Sequence, residues 1–282
     1  MKPPPFDYHR PGSVAEAIEL LDGLEDAKVI AGGQSLVPLM NYRLAAPAHL
    51  VDISRLDELG TITVDDGAVV VGATVTHTAL LNHSGATEAI PLLCDAEQLI
   101  AHEVIRNRGT VCGSLAHADP AGELTAVLAL LEGSVRAAST AGERDVAAVD
   151  LFDGPLQTSL AENELVLSAR FPRPPGHRST SFREVARRHG DYAICGVATA
   201  VDQGAGGRLD SARAAFICVA PTPLVVDLTP VVAGRGPGEI DRGDVYDFVV
   251  ERVDPADDIH ATADYRRHLA GVLAGQGLEA AL

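Results

Sequence analysis

The sequence is poor in basic side chains and in long apolar runs, and each shortage excludes a class of protein. Its 282 residues carry 22 Lys and Arg against 39 Asp and Glu, a formal net charge of −17 at pH 7. Phosphate backbones and anionic lipid surfaces repel so acidic a chain, so we expect no nucleic-acid partner. No stretch reaches the ~18 apolar residues that a membrane helix needs, so we expect no membrane span.

Cysteine is scarce as well, and its spacing excludes further classes. The four cysteines, Cys94, Cys112, Cys195 and Cys218, form no Cys-x-x-Cys pair, which excludes a zinc ribbon and a thioredoxin-like motif. The ten histidines lack the spacing of metal ligands, so no intrinsic metal is predicted. The scattered thiols are typical of a reducing compartment, and no apolar stretch follows the first residues, so we expect a cytoplasmic protein.

The order of helix and strand signals indicates the fold class. Hydrophobic residues make up 46% of the chain and charged residues 22%, which is typical of a globular protein. Strand and helix signals alternate irregularly, with several hairpins, and this favours an α+β fold over a doubly wound sheet. Prolines at 172–176 mark the best boundary, because proline stops both element types. We therefore predict a domain over 1–175, with subdomains of about 1–56 and 57–175, and a second domain over 176–282.

The first candidate site is a glycine pair between a predicted strand, 27–31, and a predicted short helix, 35–44, for which Ser35 is the expected cap. Adjacent glycines can turn several backbone N–H groups toward one anion, and the helix start adds partial positive charge. An acidic protein can hold a pyrophosphate in this way without a lysine. The residues alone leave a tight strand-to-helix turn equally open. The candidate residues are Ala31, Gly32, Gly33, Gln34, Ser35 and Leu36.

The second candidate is the segment 106–119, which is rich in glycine and small residues and shows no regular period. We predict an ordered, buried loop. Thr110 and Ser114 offer hydroxyl groups, and Asp119 can accept hydrogen bonds from ribityl or ribose hydroxyls. A hydrolase triad of Ser114, His117 and Asp119 is disfavoured, because three members so close in one loop rarely reach the required geometry.

A third segment, 187–192, carries charged groups and one aromatic ring just before a predicted strand at 192–201. In this position Tyr192 could face a ligand near the domain junction. Taken alone, the segment favours a plainer interpretation, a solvated turn with Tyr192 half buried.

Taken together, the three segments resemble a known family. The resemblance lies in the stretches VIAGGQSLVPLMNYRLAAPAHLVDI, RNRGTVCGSLAHADPAGELTAVLALL and HGDYAICGVA, and in the tail from Asp258 to Leu269. In this order they are similar to the FAD-binding medium subunits of molybdenum hydroxylases, of the carbon monoxide dehydrogenase and xanthine dehydrogenase type. The resemblance covers nearly the whole chain. It implies the two-part, PCMH-type FAD-binding fold of vanillyl-alcohol oxidase and its relatives, with a smaller α+β C-terminal domain.

The resemblance also implies which residues bind the cofactor, FAD. The first glycine loop would hold the pyrophosphate, and the second segment would wrap the other side of the flavin. Asp191 and Tyr192 would lie near the isoalloxazine, while Ile100 and Ala101 would contact the cofactor with backbone and apolar surface. From the second segment, the implied residues are Thr110, Gly113, Ser114 and Asp119.

One position departs from the family pattern. The second loop of the family commonly reads T-[IV]-G-G, and here Cys112 replaces the first glycine. A cysteine would be strained if that position needed a positive φ. We expect instead that the position tolerates a small side chain and that the affinity for FAD is slightly altered.

The function that the resemblance implies is electron transfer. In the family, a molybdenum-pterin centre on a large subunit hydroxylates the substrate. Two [2Fe-2S] clusters on a small subunit then carry electrons to FAD, which passes them to NAD, a quinone or oxygen. Each cluster needs four thiolates, so the four scattered cysteines here place both metal centres on partner chains.

We therefore expect a flavoprotein subunit in a dimer of heterotrimers, with no catalytic residue of its own. Two other functions stay open from the sequence: an independent FAD oxidase, and a non-enzymatic small-molecule binding protein that reuses the fold.

Overall fold

The structure is a computed structural model that describes residues 1–173 and 178–282. The predicted boundary at 172–176 falls mostly outside these ranges. The strands are β1 (Asp7–His9), β2 (Ala27–Ile30), β3 (His49–Asp52), β4 (Ile62–Val64), β5 (Ala68–Gly72), β6 (Ser134–Ser139), β7 (Gly142–Ala147), β8 (Phe152–Gly154), β9 (Gln157–Thr158), β10 (Leu165–Pro172), β11 (Arg178–Ala186), β12 (Ala193–Gln203), β13 (Leu209–Ile217) and β14 (Leu224–Asp227).

Helices are interspersed with these strands along the whole chain. The helices are α1 (Val14–Gly23), α2 (Leu36–Tyr42), α3 (His77–Leu81), α4 (Ser84–Ala89), α5 (Pro91–Glu97), α6 (Glu103–Arg106), α7 (Val111–His117), α8 (Glu123–Leu130), α9 (Ala148–Leu151), α10 (Thr229–Val232), α11 (Arg242–Val250) and α12 (Ala263–Ala281). This mixture of helices and hairpin-linked strands confirms the predicted α+β class.

A small parallel sheet of order β1-β3-β2 forms the amino-terminal part of the fold. Helices α1 and α2 supply the connections that parallel strands require. Ser13 starts α1, because its hydroxyl accepts a hydrogen bond from the Glu16 amide at 3.2 Å. The glycine pair follows β2 directly, so it lies at the carboxyl end of this sheet, between β2 and α2.

The second sheet is antiparallel and has the order β4-β5-β10-β6-β7. Helices α3 to α8 are all inserted between β5 and β6 in the chain. The insertion therefore carries the second candidate segment. An isolated bridge between Thr76 and Thr110 joins the start of the insertion to the start of α7.

The third sheet, β11-β12-β13-β14, lies between two hydrophobic cores. Alternate residues of β12 point to opposite faces. Ala198 and Ala200 contact the core of the amino-terminal half, whereas Val197 and Val201 pack into the core that α11 and α12 cover. The carboxyl-terminal sheet is therefore packed against the amino-terminal half along one whole face.

A buried arginine fixes the start of β12, where the third candidate segment ends. Arg266 on α12 donates hydrogen bonds to the Ile194 carbonyl at 3.2 Å and to the Ala256 carbonyl at 3.0 Å. Its guanidinium also pairs with Asp258 at 2.7 Å. The long last helix thus holds the strand that begins one residue after Tyr192.

Some sequence predictions of local structure were wrong. The segment 106–119 is not a loop, because α6 ends in it and α7 fills Val111–His117. The helical period is hidden because α7 is only seven residues long and its glycine and other small residues blur the contrast between its two faces. Ser35 occupies the predicted cap position of α2, yet its side chain makes no capping hydrogen bond.

Candidate functional site

The first loop presents its backbone to an open pocket. Gly33 adopts a φ of +72°, which turns the chain sharply between β2 and α2. The amide N–H groups of Gly33, Gln34 and Ser35 donate to no acceptor among the described residues. The loop residues from Ala31 to Gln34 line a pocket of about 380 Å³. The loop therefore offers free backbone donors to a ligand.

The two glycine-rich segments touch each other at Gly32. A Cβ built on Gly32 would lie 2.1 Å from the Arg108 carbonyl oxygen and 2.8 Å from the Cα of Gly109. No side chain fits in that space. The contact also carries Arg108 into the same pocket as the first loop, which gives this part of an acidic protein a local cation.

Helix α7 forms the central part of the second segment. Thr110 is its N-cap, and the hydroxyl oxygen accepts from the Gly113 amide at 3.1 Å. A Cβ on Gly113 would lie 2.6 Å from that oxygen, so the cap needs glycine there. Thr110 is itself buried, which makes it a structural support of the segment.

The concern about Cys112 is resolved by the same helix. Cys112 lies inside α7 and does not have a positive φ, so the cysteine is not strained. Its thiol is buried and contacts the Val71 carbonyl oxygen at 3.4 Å. Burial raises the pKa of this thiol to about 12, which keeps it protonated.

A buried network joins Ser114 to two residues that sequence analysis missed. The Oγ of Ser114 lies 3.1 Å from Nε2 of His77, and Nδ1 of His77 lies 3.0 Å from Oε2 of Glu97. His77 is 2% exposed and Glu97 is 0% exposed. Burial raises the pKa of Glu97, while His77 and Arg106 act in the opposite direction. The sequence hid this pair because Glu97 follows His77 by 20 residues, on another helix.

Ile100 and Ala101 form a strained corner that an arginine holds in place. Ala101 has a φ of +44°, a conformation that residues with a Cβ rarely adopt. Nη1 of Arg106 donates to the Ile100 carbonyl at 2.8 Å and to the Ala101 carbonyl at 3.0 Å. The side chain of Ile100 is buried in the core. What the corner offers a ligand is therefore chiefly its backbone and Ala101.

Asp119 follows α7 and lies in a group of acids. Its Oδ1 accepts from the Ala121 amide at 2.8 Å, and its Oδ2 lies 3.8 Å from Nε2 of His117. Burial raises the pKa of the neighbouring Glu123 to about 8, and the Glu184, Glu97 and Asp119 carboxylates add to the rise. Since only Oδ1 of Asp119 accepts from a backbone amide, its Oδ2 is free of backbone hydrogen bonds.

The third segment closes over the second one from the carboxyl-terminal half. Gly190 packs on His102, since a Cβ there would lie 2.3 Å from Cε1 of the imidazole. Asp191 pairs with Arg188 at 3.3 Å. Tyr192 is 69% exposed, so the interpretation of a half-buried ring was wrong. Partial burial of its hydroxyl, then the Asp119 and Glu123 carboxylates, raise the pKa of Tyr192, which places the phenol near these acids.

Contacts link the sequence-predicted segments to one another. The first loop meets the second segment at Gly32, and the second segment lies near the loop that carries Tyr192. The disfavoured triad is absent, because Ser114 pairs with His77 rather than with His117. Within the described ranges, no group of three or more His, Cys, Asp or Glu side chains is arranged to hold a metal.

Comparison with known proteins identifies the class. A family model described as the FAD binding domain in molybdopterin dehydrogenase matches residues 4–174, and one described as the CO dehydrogenase flavoprotein C-terminal domain matches 180–281. The chain is 38% identical over its full length to the 6-hydroxypseudooxynicotine dehydrogenase complex subunit alpha of Paenarthrobacter nicotinovorans, 96% of which is covered.

Solved structures agree with this match. Carbon monoxide dehydrogenase from Hydrogenophaga pseudoflava, solved without the Mo-pyranopterin moiety of its cofactor, superposes with a TM-score of 0.93 at 35% identity, covering 100% of this chain and 98% of the other. Quinoline 2-oxidoreductase from Pseudomonas putida 86 gives a TM-score of 0.92 at 35% identity, with the same coverages. The chain belongs to the FAD-binding medium subunits of molybdenum hydroxylases. The predicted family and two-part FAD-binding fold are confirmed.

The residues of these segments fit the FAD that this family binds. Three free amides at Gly33, Gln34 and Ser35 match a pyrophosphate, and Arg108 adds a positive charge beside them. The exposed ring of Tyr192 offers an aromatic face on which a flavin can stack. Among the described helices, none is long and apolar enough to cross a membrane.

Proposed function

We propose that this chain binds FAD in the cleft between the first loop and the α7 segment, and there relays electrons from partner subunits to an external acceptor. The meeting of the two glycine-rich segments at Gly32 carries this proposal, because it brings free amides and Arg108 together in one pocket. Bound FAD supplies the redox chemistry, since it can take up electrons one at a time and release them in pairs.

The side chains and backbone of this chain have binding and orienting roles. The loop from Ala31 to Leu36 holds the pyrophosphate through its backbone. Thr110 and Gly113 shape the start of α7, which sets Ser114 and Asp119 toward the ribityl or ribose hydroxyls. The list of proposed cofactor contacts is completed by Ile100, Ala101, Asp191 and Tyr192.

The carboxyl-terminal half closes the flavin side of the cleft. Its loop packs on His102 through Gly190, so the exposed ring of Tyr192 is held beside the α7 segment. We place the isoalloxazine next to this ring. The boundary between the two domains is proposed at 175/176.

The partners follow from the family and from the sequence. We propose a large subunit with the molybdenum-pterin centre and a small subunit with two [2Fe-2S] clusters, assembled as a dimer of heterotrimers. The four cysteines of this chain are free, and two clusters need eight thiolates. Free thiols also support a location in the cytoplasm.

Purification of the native complex tests the proposal. We expect one FAD per copy of this chain, released completely by acid, and two co-purifying subunits that hold the molybdenum and the iron. Substrate added without an acceptor should bleach the flavin absorbance of the complex, whereas the pure single chain should turn over no substrate. Steady turnover by the pure chain would establish the independent oxidase instead, and a complex without flavin would favour the non-enzymatic binding protein.

A further inference from the structure

We propose that His77 and Glu97 fix the hydrogen-bond direction of Ser114, so that this serine accepts a hydrogen bond from a cofactor hydroxyl and does not donate one to a phosphate. The inference rests on the proposed placement of FAD beside α7. It assigns His77 and Glu97 as positioning residues that act through Ser114.

The geometry is that of a relay of three side chains. Nδ1 of His77 lies within 3.2 Å of both Glu97 oxygens, and Nε2 lies 3.1 Å from the Ser114 Oγ. The imidazole is packed tightly, since a Cβ on Gly109 would lie 3.0 Å from its Cδ2. The His77 amide also donates to the Gly109 carbonyl at 3.0 Å. The ring is therefore held with one nitrogen toward Glu97 and the other toward Ser114.

The carboxylate of Glu97 sets the tautomer that the proposal assigns to His77. Glu97 is fully buried, and both of its oxygens lie within 3.2 Å of Nδ1 of His77. A neutral imidazole beside a carboxylate carries its proton on the nitrogen that faces the carboxylate. Nε2 of His77 is then an acceptor.

The single proton of the Ser114 hydroxyl is consequently directed to Nε2 of His77. A serine inside a helix often donates to the carbonyl four residues back. Here the Ser114 hydroxyl makes no hydrogen bond to the Thr110 carbonyl, and its Oγ lies 3.1 Å from Nε2 of His77 instead. With its proton engaged, Oγ keeps its lone pairs for an outside donor. FAD offers such donors in its ribityl and ribose hydroxyls, whereas its phosphates only accept.

Substitutions in the flavin-stripped complex, titrated with FAD, test this relay. Ser114→Ala should raise the dissociation constant of FAD about tenfold, as the loss of one hydrogen bond does. His77→Ala should have the same effect, and His77→Gln should restore affinity to within about threefold, because its amide oxygen can accept the serine proton. Glu97→Leu should also weaken FAD binding. In the double variant with Ser114→Ala, however, it should cause no further loss of affinity.

Cofactor analogues show which hydroxyl Ser114 accepts from. FAD analogues that lack one ribityl hydroxyl, or the ribose 2′-hydroxyl, should each be titrated into wild-type protein and Ser114→Ala. For wild-type protein, one of these analogues should have a dissociation constant about tenfold higher than that of FAD. For Ser114→Ala, the same analogue and FAD should have equal dissociation constants. The analogue that behaves in this way identifies the ribityl or the ribose as the source.

The outcomes separate this inference from the proposed site. Thr125→Val, which removes another buried hydroxyl, should leave the FAD affinity unchanged, and urea unfolding reports any loss of folding in each variant. If Ser114→Ala leaves FAD binding unchanged, the cofactor does not lie beside α7 and the proposed site is wrong. Ser114→Ala could instead weaken FAD binding while every hydroxyl-deleted analogue loses affinity equally for wild type and for the variant, or its effect could add fully to that of Glu97→Leu. In either case the serine donates to a phosphate, and the relay inference is overturned.

Discussion

The first loop, 31–36, and the helical side, α3 with the segment from Glu97 to Glu123, are the two sides of the proposed cleft, but they are built from different groups. The loop offers backbone amides and has a positive φ at Gly33. The other side carries ionisable side chains that are deeply buried, His77 and Glu97 among them. Backbone amides do not titrate, whereas buried acids respond to pH and to neighbouring charge.

We propose that this difference divides the binding work between the two sides. The loop can hold a phosphate group equally well over a wide pH range, because its donors are fixed by the fold. The helical side can orient hydroxyl groups and influence the flavin electrostatically, because its groups change charge. Each prediction below alters one side, or the contact between the sides, in order of decreasing expected effect.

The largest effect is expected where the two sides touch. In Gly32→Ala the new Cβ would lie 2.1 Å from the Arg108 carbonyl oxygen, so the backbone of one segment must move. Such overpacking costs about 1–3 kcal/mol or more. We expect the purified complex to lose nearly all its FAD, measured by acid release and absorbance.

Gly33→Ala is the matched control, because it adds the same atom one residue later. Its Cβ would meet only side-chain atoms, at 3.2 Å from Ile30 and Val37, and its cost is the strain of a φ of +72°, about 1–2 kcal/mol. This variant should keep a measurable part of its FAD. Equal losses in both variants would show that turn geometry, rather than contact between the sides, governs binding.

A smaller effect is expected at the contact between the domains. Gly190 has a φ of +84°, and a Cβ there would lie 2.3 Å from the His102 imidazole. Gly190→Ala should lift the loop that carries Tyr192 and change the rate of flavin reoxidation at least threefold, followed by stopped-flow absorbance. FAD content should stay near normal, because the pyrophosphate side is untouched.

Gly206→Ala separates strain from contact in this test. Gly206 has nearly the same φ, +81°, but nothing lies within 4 Å of its Cβ position. It should be destabilised to a similar degree without a change in reoxidation. If both variants reoxidise like wild type, the Tyr192 loop does not lie against the flavin.

Arg108→Gln should have a still smaller effect, confined to the phosphate side. Arg108 lines the pocket of the first loop and is exposed, so solvent and salt screen its charge. We expect the FAD dissociation constant to rise about three- to tenfold at low salt, and the difference to shrink as salt is added. Arg136 is an exposed arginine paired with Asp145 on β7. Arg136→Gln should leave the FAD dissociation constant and its salt dependence unchanged. A loss that salt does not reduce would mean that Arg108 acts through packing.

The sequence predicted the class, the family and the two glycine-rich segments, because these depend on local pattern. It could not predict helix α7, since only seven residues, several of them small, show no clear period. His77, Glu97 and Arg108 were missed for another reason. Their roles come from contacts between segments that are distant in the chain, and spacing does not report such contacts.

The smallest effect concerns Glu184 on β11, an acid whose charge helps to raise the pKa of Glu123 on the helical side. Burial raises the pKa of Glu184 to about 7 from an ordinary value of 4.5, and its Oε2 has no hydrogen-bond partner among the described residues. Because the folded state holds this proton more tightly, the stabilisation is complete below about pH 4.5. It is lost as the pH rises through about 7.

Glu184→Gln should therefore flatten the fall in unfolding free energy between about pH 5 and pH 8. The slope can change by at most about 1.4 kcal/mol per pH unit, the value for one proton. Urea titrations of the full chain at several pH values measure it. Glu143→Gln, on the exposed β7, should give a curve parallel to wild type. A parallel curve for Glu184→Gln as well would mean that this acid is ionised in the folded protein at neutral pH. Burial would then not govern the charge of the acids around Glu123, and the pH response that we attribute to the helical side would lose the support of Glu184.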